Sequence, residues 1–335
     1  MTEQNLSLED VRKLAEQALT GAGATAANAA SVARSTVLAE RDGIRSHGLM
    51  YVPIYAEHVL CGKVDGAAQP GLDRTRPGAI RVDAKSGFAH PAIDAGWADL
   101  TQAVRDNGVA LMTVHNSYNC GVLGHHAQRL AEEGLIGLCF THAPASIAPS
   151  GGSIPVVGTN PFAIAVPDGE GGAAIAIDQS ASVVAKSEIM LRARNGEPIE
   201  SHWAMDAEGN PTTSAEEALK GSMAPAGGYK GFGVGLMVEL LASCLAGALL
   251  SKDASPFAGT KGGPPGTGQC FIAIDPMAFS GSNFGDQVAA LVAAIEAQPG
   301  VHLPGAKGKT NRLRTQAEGV LVDQSLLDKI AQYAA

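Results

Sequence analysis

The chain has 335 residues and a net charge of -9 at pH 7, with no run of lysine or arginine. It is long enough to bury a substantial core, and it lacks the basic face that a nucleic-acid partner requires. Aromatic residues make up 4% of the chain while glycine alone supplies 41 positions, so packing must rest on aliphatic side chains and close backbone approach. Five cysteines (Cys61, Cys120, Cys139, Cys244, Cys270) are scattered and form no CxxC pair. Reduced thiols are expected, with neither a disulfide framework nor a metal site. The first residues, Met1-Thr-Glu-Gln-Asn, lack the basic and then apolar regions of a signal peptide, so a cytoplasmic location is expected.

Ser7-Leu-Glu-Asp10 resembles a capping box, and Leu8, Val11, Leu14, Ala15 and Ala18 follow at helical spacing. Gly21 and Gly23 end this helix, and residues 26–40 predict a second one. It leads into a densely polar stretch, with Glu40, Arg41, Asp42, Arg45, Ser46 and His47 in close succession. Groups this dense are costly to bury without partners. Gly43 and Gly48 bracket Ser46-His47, so the backbone is expected to take a turn closed to other residues and to hold the imidazole out from a fixed loop. A histidine held that way is a candidate proton donor near neutral pH, and a hydrogen-bonded loop histidine is the plain alternative. Pro53 restarts a helix over residues 54–60.

Composition shifts after Gln69-Pro70. Residues 79–83 alternate as a strand, residues 91–107 predict a helix stopped by Gly108, and residues 109–114 predict a continuous apolar strand. That strand runs into the polar segment 115–121, the end of a strand where α/β proteins place ligands. A helix over 124–133 and a strand over 136–141 follow. Prolines and glycines crowd residues 142–161, and residues 162–166 and 173–177 look like paired strands, the second closed by Asp178 and Ser180. A helix is expected over 188–194 and a surface turn over 206–210.

Residues 227–235 carry a glycine-rich loop ahead of a helix over 236–249. Free amides, the helix dipole and Lys230 would make this an anion site, and close packing of a glycine-rich helix is an equally weighted reading. Segment 232–250 approaches membrane-span length, but Glu239 at its centre and the recurring glycines predict a buried helix instead. Residues 251–268 are expected to be a mobile loop, 270–275 a strand, 284–298 a helix, 301–305 an extended segment and 325–334 a final helix. Neither GxGxxG nor GxxxxGK[ST] occurs in the glycine-rich segment.

Ser46-His47-Gly48 with Pro53 and Tyr55, Asn116-Ser117 with Gly121 and Gly124, Gly158-Thr-Asn-Pro161, Asp178 with Ser180, Gly228-Tyr-Lys-Gly231 and Leu303-Pro-Gly305 together resemble the malate/L-lactate dehydrogenase family over nearly the whole chain. The resemblance implies a mixed α/β (α+β) fold with a largely antiparallel central sheet, not a Rossmann fold. It also implies a helical region over 1–75 carrying the catalytic loop, a cofactor-binding mixed-sheet domain over 76–285, and C-terminal helices over 286–335 packing back on the N-terminal region.

The same resemblance implies an oxidoreductase using NAD or NADP, with His47 as proton donor assisted by Ser46 and Asp178. Ala174, Ile175, Ala176, Ile177, Asp178, Gln179 and Ser180 would form the cofactor loop. Tyr229 and Lys230 would contact the dinucleotide, and Gly305, Ala306 and Lys307 its phosphates. Tyr51, Asn119 and Asn160 would line the substrate pocket, although Tyr51 stands where many family members carry arginine and Asn119 where many carry histidine. Reduction of a small 2-oxo acid of the malate, lactate or sulfolactate type is the leading expectation. Reduction of a cyclic imine such as Δ1-piperideine-2-carboxylate or Δ1-pyrroline-2-carboxylate is the rival within the family, and nucleotide binding without redox chemistry is a different class of answer. A homodimer is the expected assembly, with a small-molecule substrate and neither nucleic acid nor a membrane as partner.

Overall fold

The structure, a computed structural model, describes residues 3–334. Its centre is a seven-stranded sheet in the order β2-β3-β4-β10-β5-β6-β7. These strands are β2 (Gly71–Arg76), β3 (Ala79–Asp83), β4 (Val109–Ser117), β5 (Ile136–Thr141), β6 (Phe162–Pro167), β7 (Ala173–Gln179) and β10 (Thr267–Ile274). Only β3 and β4 pair in parallel, so the sheet is largely antiparallel, as expected. Strands β8 (Ala204–Met205) and β9 (Ser222–Met223) form a small separate pair.

Side chains alternate between the two faces of the sheet. Met112, Val114, Cys139, Ala163, Phe271 and Ala273 point to one face, where helices α4 (Ala89–Asn107) and α5 (Leu123–Glu132) cover them with Ile93, Trp97, Leu100, Leu123 and Leu130. Gly96 lets α4 lie close, since a Cβ there would stand 2.4 Å from Met112 Sδ. This is the aliphatic, close-approach packing that the composition predicts.

Helices α1 (Leu8–Gly21), α2 (Ala26–Arg41) and α3 (Val52–Leu60) form the N-terminal region. Ser7 Oγ accepts from Asp10 N at 3.1 Å and Asp10 Oδ2 accepts from Ser7 N at 3.2 Å, which completes the expected capping box. Two short strands at the chain ends, β1 (Glu3–Leu6) and β11 (Val320–Asp323), pair antiparallel and were not anticipated. They bring α12 (Gln324–Ala331) into the core of α1 and α2, where Val11, Ala15, Leu327 and Ile330 are buried together. A boundary at 75/76 falls inside the β2–β3 hairpin, so the sheet begins before the expected edge of the helical region.

Helix α6 (Lys186–Asn195) and the single turn α7 (Ala215–Ala218) lie between β7 and β9. Helix α8 spans Tyr229–Glu239 and continues as a π-helix over Leu240–Leu245. The glycine-rich segment is therefore a helix rather than a loop, and the expected helix over 236–249 begins seven residues early. Its glycines serve packing: a Cβ on Gly231 would lie 2.0 Å from Ala226 O, and one on Gly235 would touch Ala181. The single turn α9 (Met277–Ser280) and helix α10 (Asn283–Glu296) precede the non-helical segment 301–305 and then α11 (Ala306–Glu318), a helix that the sequence pattern does not predict.

The segment 251–268 is anchored rather than loose. Lys63, fully buried, donates Nζ to the carbonyls of Pro256 (2.7 Å) and Gly259 (2.9 Å). Among the described residues no helix is long and apolar enough to cross a membrane, and no group of three metal-ligating side chains gathers.

Candidate active site

The charged stretch after α2 folds into two successive 3-10 turns, Arg45–His47 and Leu49–Tyr51. Buried Glu40 shapes them by accepting from Leu49 N at 2.7 Å. Burial raises the Glu40 pKa, and the Leu49 amide and Arg45 partly offset this. Gly43 has φ +75° as expected of a turn glycine, but Gly48 has φ -90°. Its need is space instead: a Cβ there would stand 2.1 Å from Glu40 Oε1.

The same turn is fixed from below. Buried Asp42 accepts from Arg312 Nε and Nη2, both at 2.8 Å, from Arg41 Nε at 2.8 Å, and faces His125 Nε2 at 3.0 Å. Burial opposes ionisation here, but the bonds from His125, Arg312 and Arg41 hold the carboxyl far below its ordinary value. Asn311 Nδ2 adds a bond to the Asp42 carbonyl at 2.9 Å. Helix α11 thus braces the loop. Neither the brace nor the Glu40 pin is signalled by local sequence pattern.

His47 is partly buried, and Ser46 Oγ lies 3.0 Å from its Nδ1. Burial, aided by His125, lowers its pKa. Its ring stacks on Tyr51 (centroids 6.3 Å, 5° between planes), and Tyr51 meets Tyr55 at 4.7 Å. The Tyr51 hydroxyl faces Tyr118 and Asn119, and burial pushes its pKa up to about 12, so it is a neutral donor. Asn119 Oδ1 accepts from Tyr55 Oη (3.2 Å) and Gly121 N (2.7 Å). Tyr118 is held by His58, which also reaches the Gly259 carbonyl (3.0 Å), and it packs on Phe257 at 5.4 Å. The Lys63-anchored loop therefore completes an aromatic wall.

Asp178 lies on the α5 side of β7, where its Oδ2 accepts from Gly124 N at 2.7 Å. A Cβ on Gly124 would fall 2.8 Å from that oxygen. Surrounding protein raises the Asp178 pKa, with the Gly124 amide and His125 acting against it. Gly124, bonded to Asp178, and His125, facing Asp42, are consecutive residues of α5, so this helix joins Asp178 to the histidine loop.

Asn160 does not join this group. It is fully buried with φ +39°; Nδ2 donates to Gly235 O and Glu239 Oε2 (2.9 Å each), and Oδ1 accepts from Ala143 N (3.2 Å). Its amide holds the β5–β6 connection to α8, with Glu239 also bonded to Ser251. This polar set satisfies the charge that Glu239 puts into an apolar helix.

Part of the expected cofactor set meets at the edge of the sheet. β7 is the edge strand of the sheet, so one side of the backbone at Ala174, Ile175, Ala176, Ile177, Gln179 and Ser180 has no neighbouring strand. Gly305 (φ +89°) caps α11, and a Cβ there would lie 3.1 Å from that of Ala176. Ala306 and Lys307 thus open a 13-residue helix beside the edge strand. Gly227 and Gly228 (φ +75° and +64°) turn the chain into α8, whose first residues, Tyr229 and Lys230, are exposed. Two helix N-termini with adjacent lysines, that of α11 held against the edge strand by the bond from Ala176 N to Pro304 O (3.4 Å), suit the phosphates of a dinucleotide.

The family profile described as malate/L-lactate dehydrogenase matches residues 6–331. A (2R)-3-sulfolactate dehydrogenase (NADP(+)) from Chromohalobacter salexigens is 39% identical, with 98% of each chain covered. A Delta(1)-pyrroline-2-carboxylate reductase from Ancylobacter novellus is 38% identical over 97% of this chain and 96% of its own. The crystal structure of delta1-piperideine-2-carboxylate reductase from Pseudomonas syringae superposes with a TM-score of 0.93 at 31% identity, covering 98% of this chain and 99% of that one. With the profile matched almost end to end, the chain is an oxidoreductase that belongs to the malate/L-lactate dehydrogenase family.

Proposed function

We propose that the chain is an NAD(P)H-dependent reductase of a small acid with a C=N or C=O bond next to its carboxylate. Cyclic imino acids are the reading the site supports best and linear 2-oxo acids the second. The observation that carries the reaction type is His47, oriented by Ser46 and stacked on Tyr51, in a loop that α5 joins to Asp178. The tyrosine wall favours a flat ring over a short linear acid, because aromatic faces offer area and no charge. The second reading draws on the sulfolactate dehydrogenase relative.

Bound along β7, the dinucleotide would supply hydride to the electrophilic carbon. Gly305, Ala306 and Lys307 would hold phosphate at one end, and Tyr229 and Lys230 would hold the other. Protonated His47 would donate Nδ1–H to Ser46 Oγ and present Nε2–H to the substrate nitrogen or oxygen, which takes that proton and leaves the imidazole neutral. Asp178 steadies the positive charge of the protonated imidazole. Tyr51 and Asn119 orient the substrate. In this reading Asn160 acts at a distance, by holding the strand connection beneath the site. A homodimer, with the second copy covering the apolar face of α8, completes the proposal.

A panel of cyclic imines and 2-oxo acids assayed with NADH and NADPH tests the reading; turnover of neither class would end it. His47→Ala should lower kcat by about 100-fold or more with dinucleotide affinity nearly unchanged. Because its pKa is lowered, His47 loses its proton as pH rises through a value below that of a free imidazole, ~6.5, and the reduction rate should decline in that direction. Lys230→Ala should weaken dinucleotide binding by about 1–3 kcal/mol, read by fluorescence titration.

A further inference from the structure

A cleft of about 570 Å³ opens between α2, α4 and α5, and none of the residues assigned to the reaction or to the dinucleotide lines it. Its size is ordinary for a small-molecule site. Of the three guanidinium groups that line it, Arg41 is paired with Asp42, which leaves Arg34 and Arg129 beside the carboxylates of Asp94 and Glu132. Arg129 Nη1 donates to Asp94 Oδ1 at 2.7 Å, and Arg34 bonds the other oxygen. Both acceptor atoms of Asp94 are thereby committed, while each guanidinium keeps further N–H groups for another partner.

The second feature is His90. It lines the cleft, is 4% exposed, and has neither ring nitrogen in a hydrogen bond with the protein. The neighbouring Cys120 carbonyl is already bonded by His126 Nε2 at 3.0 Å. Buried polar atoms of this kind ordinarily have a partner. On the far side of this wall a Cβ on Gly121 would meet His90 Nε2 at 3.0 Å and Ser35 Oγ at 2.5 Å, so the floor of the cleft backs directly on the loop that carries Asn119.

We propose that this cleft is a second binding site, for a small molecule bearing an acid group, which the Arg34 and Arg129 guanidiniums hold while His90 bonds a neighbouring polar atom. The N–H groups that Arg34 and Arg129 do not spend on Asp94 suit an acceptor-rich acid group, and the planar fork of arginine fits carboxylate and phosphate alike.

The test is calorimetric titration of the protein saturated with NADPH, so that Lys230 and the α11 N-terminus are occupied. Citrate, malonate and inorganic phosphate are the probes, at matched ionic strength. The NADPH titration that precedes it reports the dinucleotide site by its own heat, which separates failure of that assignment from failure of this one. One equivalent of a probe should bind, the carboxylate and phosphate arms showing which acid is preferred. Arg34→Gln should weaken that binding by about tenfold or more, the scale of one charge-assisted contact. The Arg34 side chain is 58% exposed, so this variant should keep the fold. His90→Phe, which fills the cavity, should abolish binding. Absence of binding for all three probes overturns the proposal, as does unchanged affinity in both variants.

Discussion

The two faces of the central sheet are finished differently. On one, α4 and α5 bury a continuous set from Ile80 to Ala273, and Leu100, Met112 and Phe271 are wholly excluded from water. On the other, Val238 and Ala242 cover Phe140 and Cys270, but Leu111, Leu138, Phe162 and Ile272 stay only partly buried. The helix doing the covering turns Leu240 (53% exposed) and Leu245 (55%) outward, and α10 buries none of its residues. The first face is closed by the chain itself. The second has an apolar surface of the kind that marks a contact with another molecule, and we expect a second copy there.

This contrast can be broken at its strong side first. Phe271→Ala on the closed face should cost about 3–5 kcal/mol, measured by urea unfolding, because the packed helices leave the cavity unfilled. Next comes acid. Burial holds His90 down to about 3 and His126 down to about 4, so both stay neutral in the folded chain while free imidazoles take up protons below ~6.5. Between those values the unfolded state binds more protons, and stability falls as pH falls. A drop of about 1–2 kcal/mol for each histidine between pH 7 and 5 should appear in melts followed by circular dichroism; a flat profile would show that the fold holds neither histidine neutral.

The smallest effect on folding should come from the open face. Leu240→Ala should change chain stability by under ~1 kcal/mol. The larger change, Leu240→Arg, should split a dimer into monomers by light scattering with secondary structure intact. A wild-type protein already monomeric across working concentrations would sink the assembly.

Much of the closed face is legible in the sequence. The runs at β4, β5 and β10 are apolar and unbroken, and the 3.6-residue pattern marks α1 and α2 because each buries a single stripe. What escapes is set by contacts remote in sequence. The pairing of β1 with β11 joins residues about as far apart as the chain allows, and neither four-residue strand has a pattern of its own. Glycines in α8 signal a loop by intrinsic preference, yet tertiary packing against Ala226 and Ala181 requires them in a helix. At the site, the Ser46-His47 segment is conspicuous as a motif, while Asp42, His125 and Arg312 become partners only once α5 and α11 meet the turn after α2. Asn160 shows the converse: a motif residue whose side chain is spent on holding a connection.

The bond between Asp42 and Arg312 has a consequence for how the molecule comes into being. Two carboxylate contacts and an amide contact tie the turn before His47 to a helix some 270 positions later, and the last helix, α12, completes the core on which α1 and α2 rest. During synthesis the N-terminal helices emerge first and find neither partner. On a nascent chain the histidine loop lacks these contacts, so a segment made early takes its final shape only after residues near the C-terminus have followed.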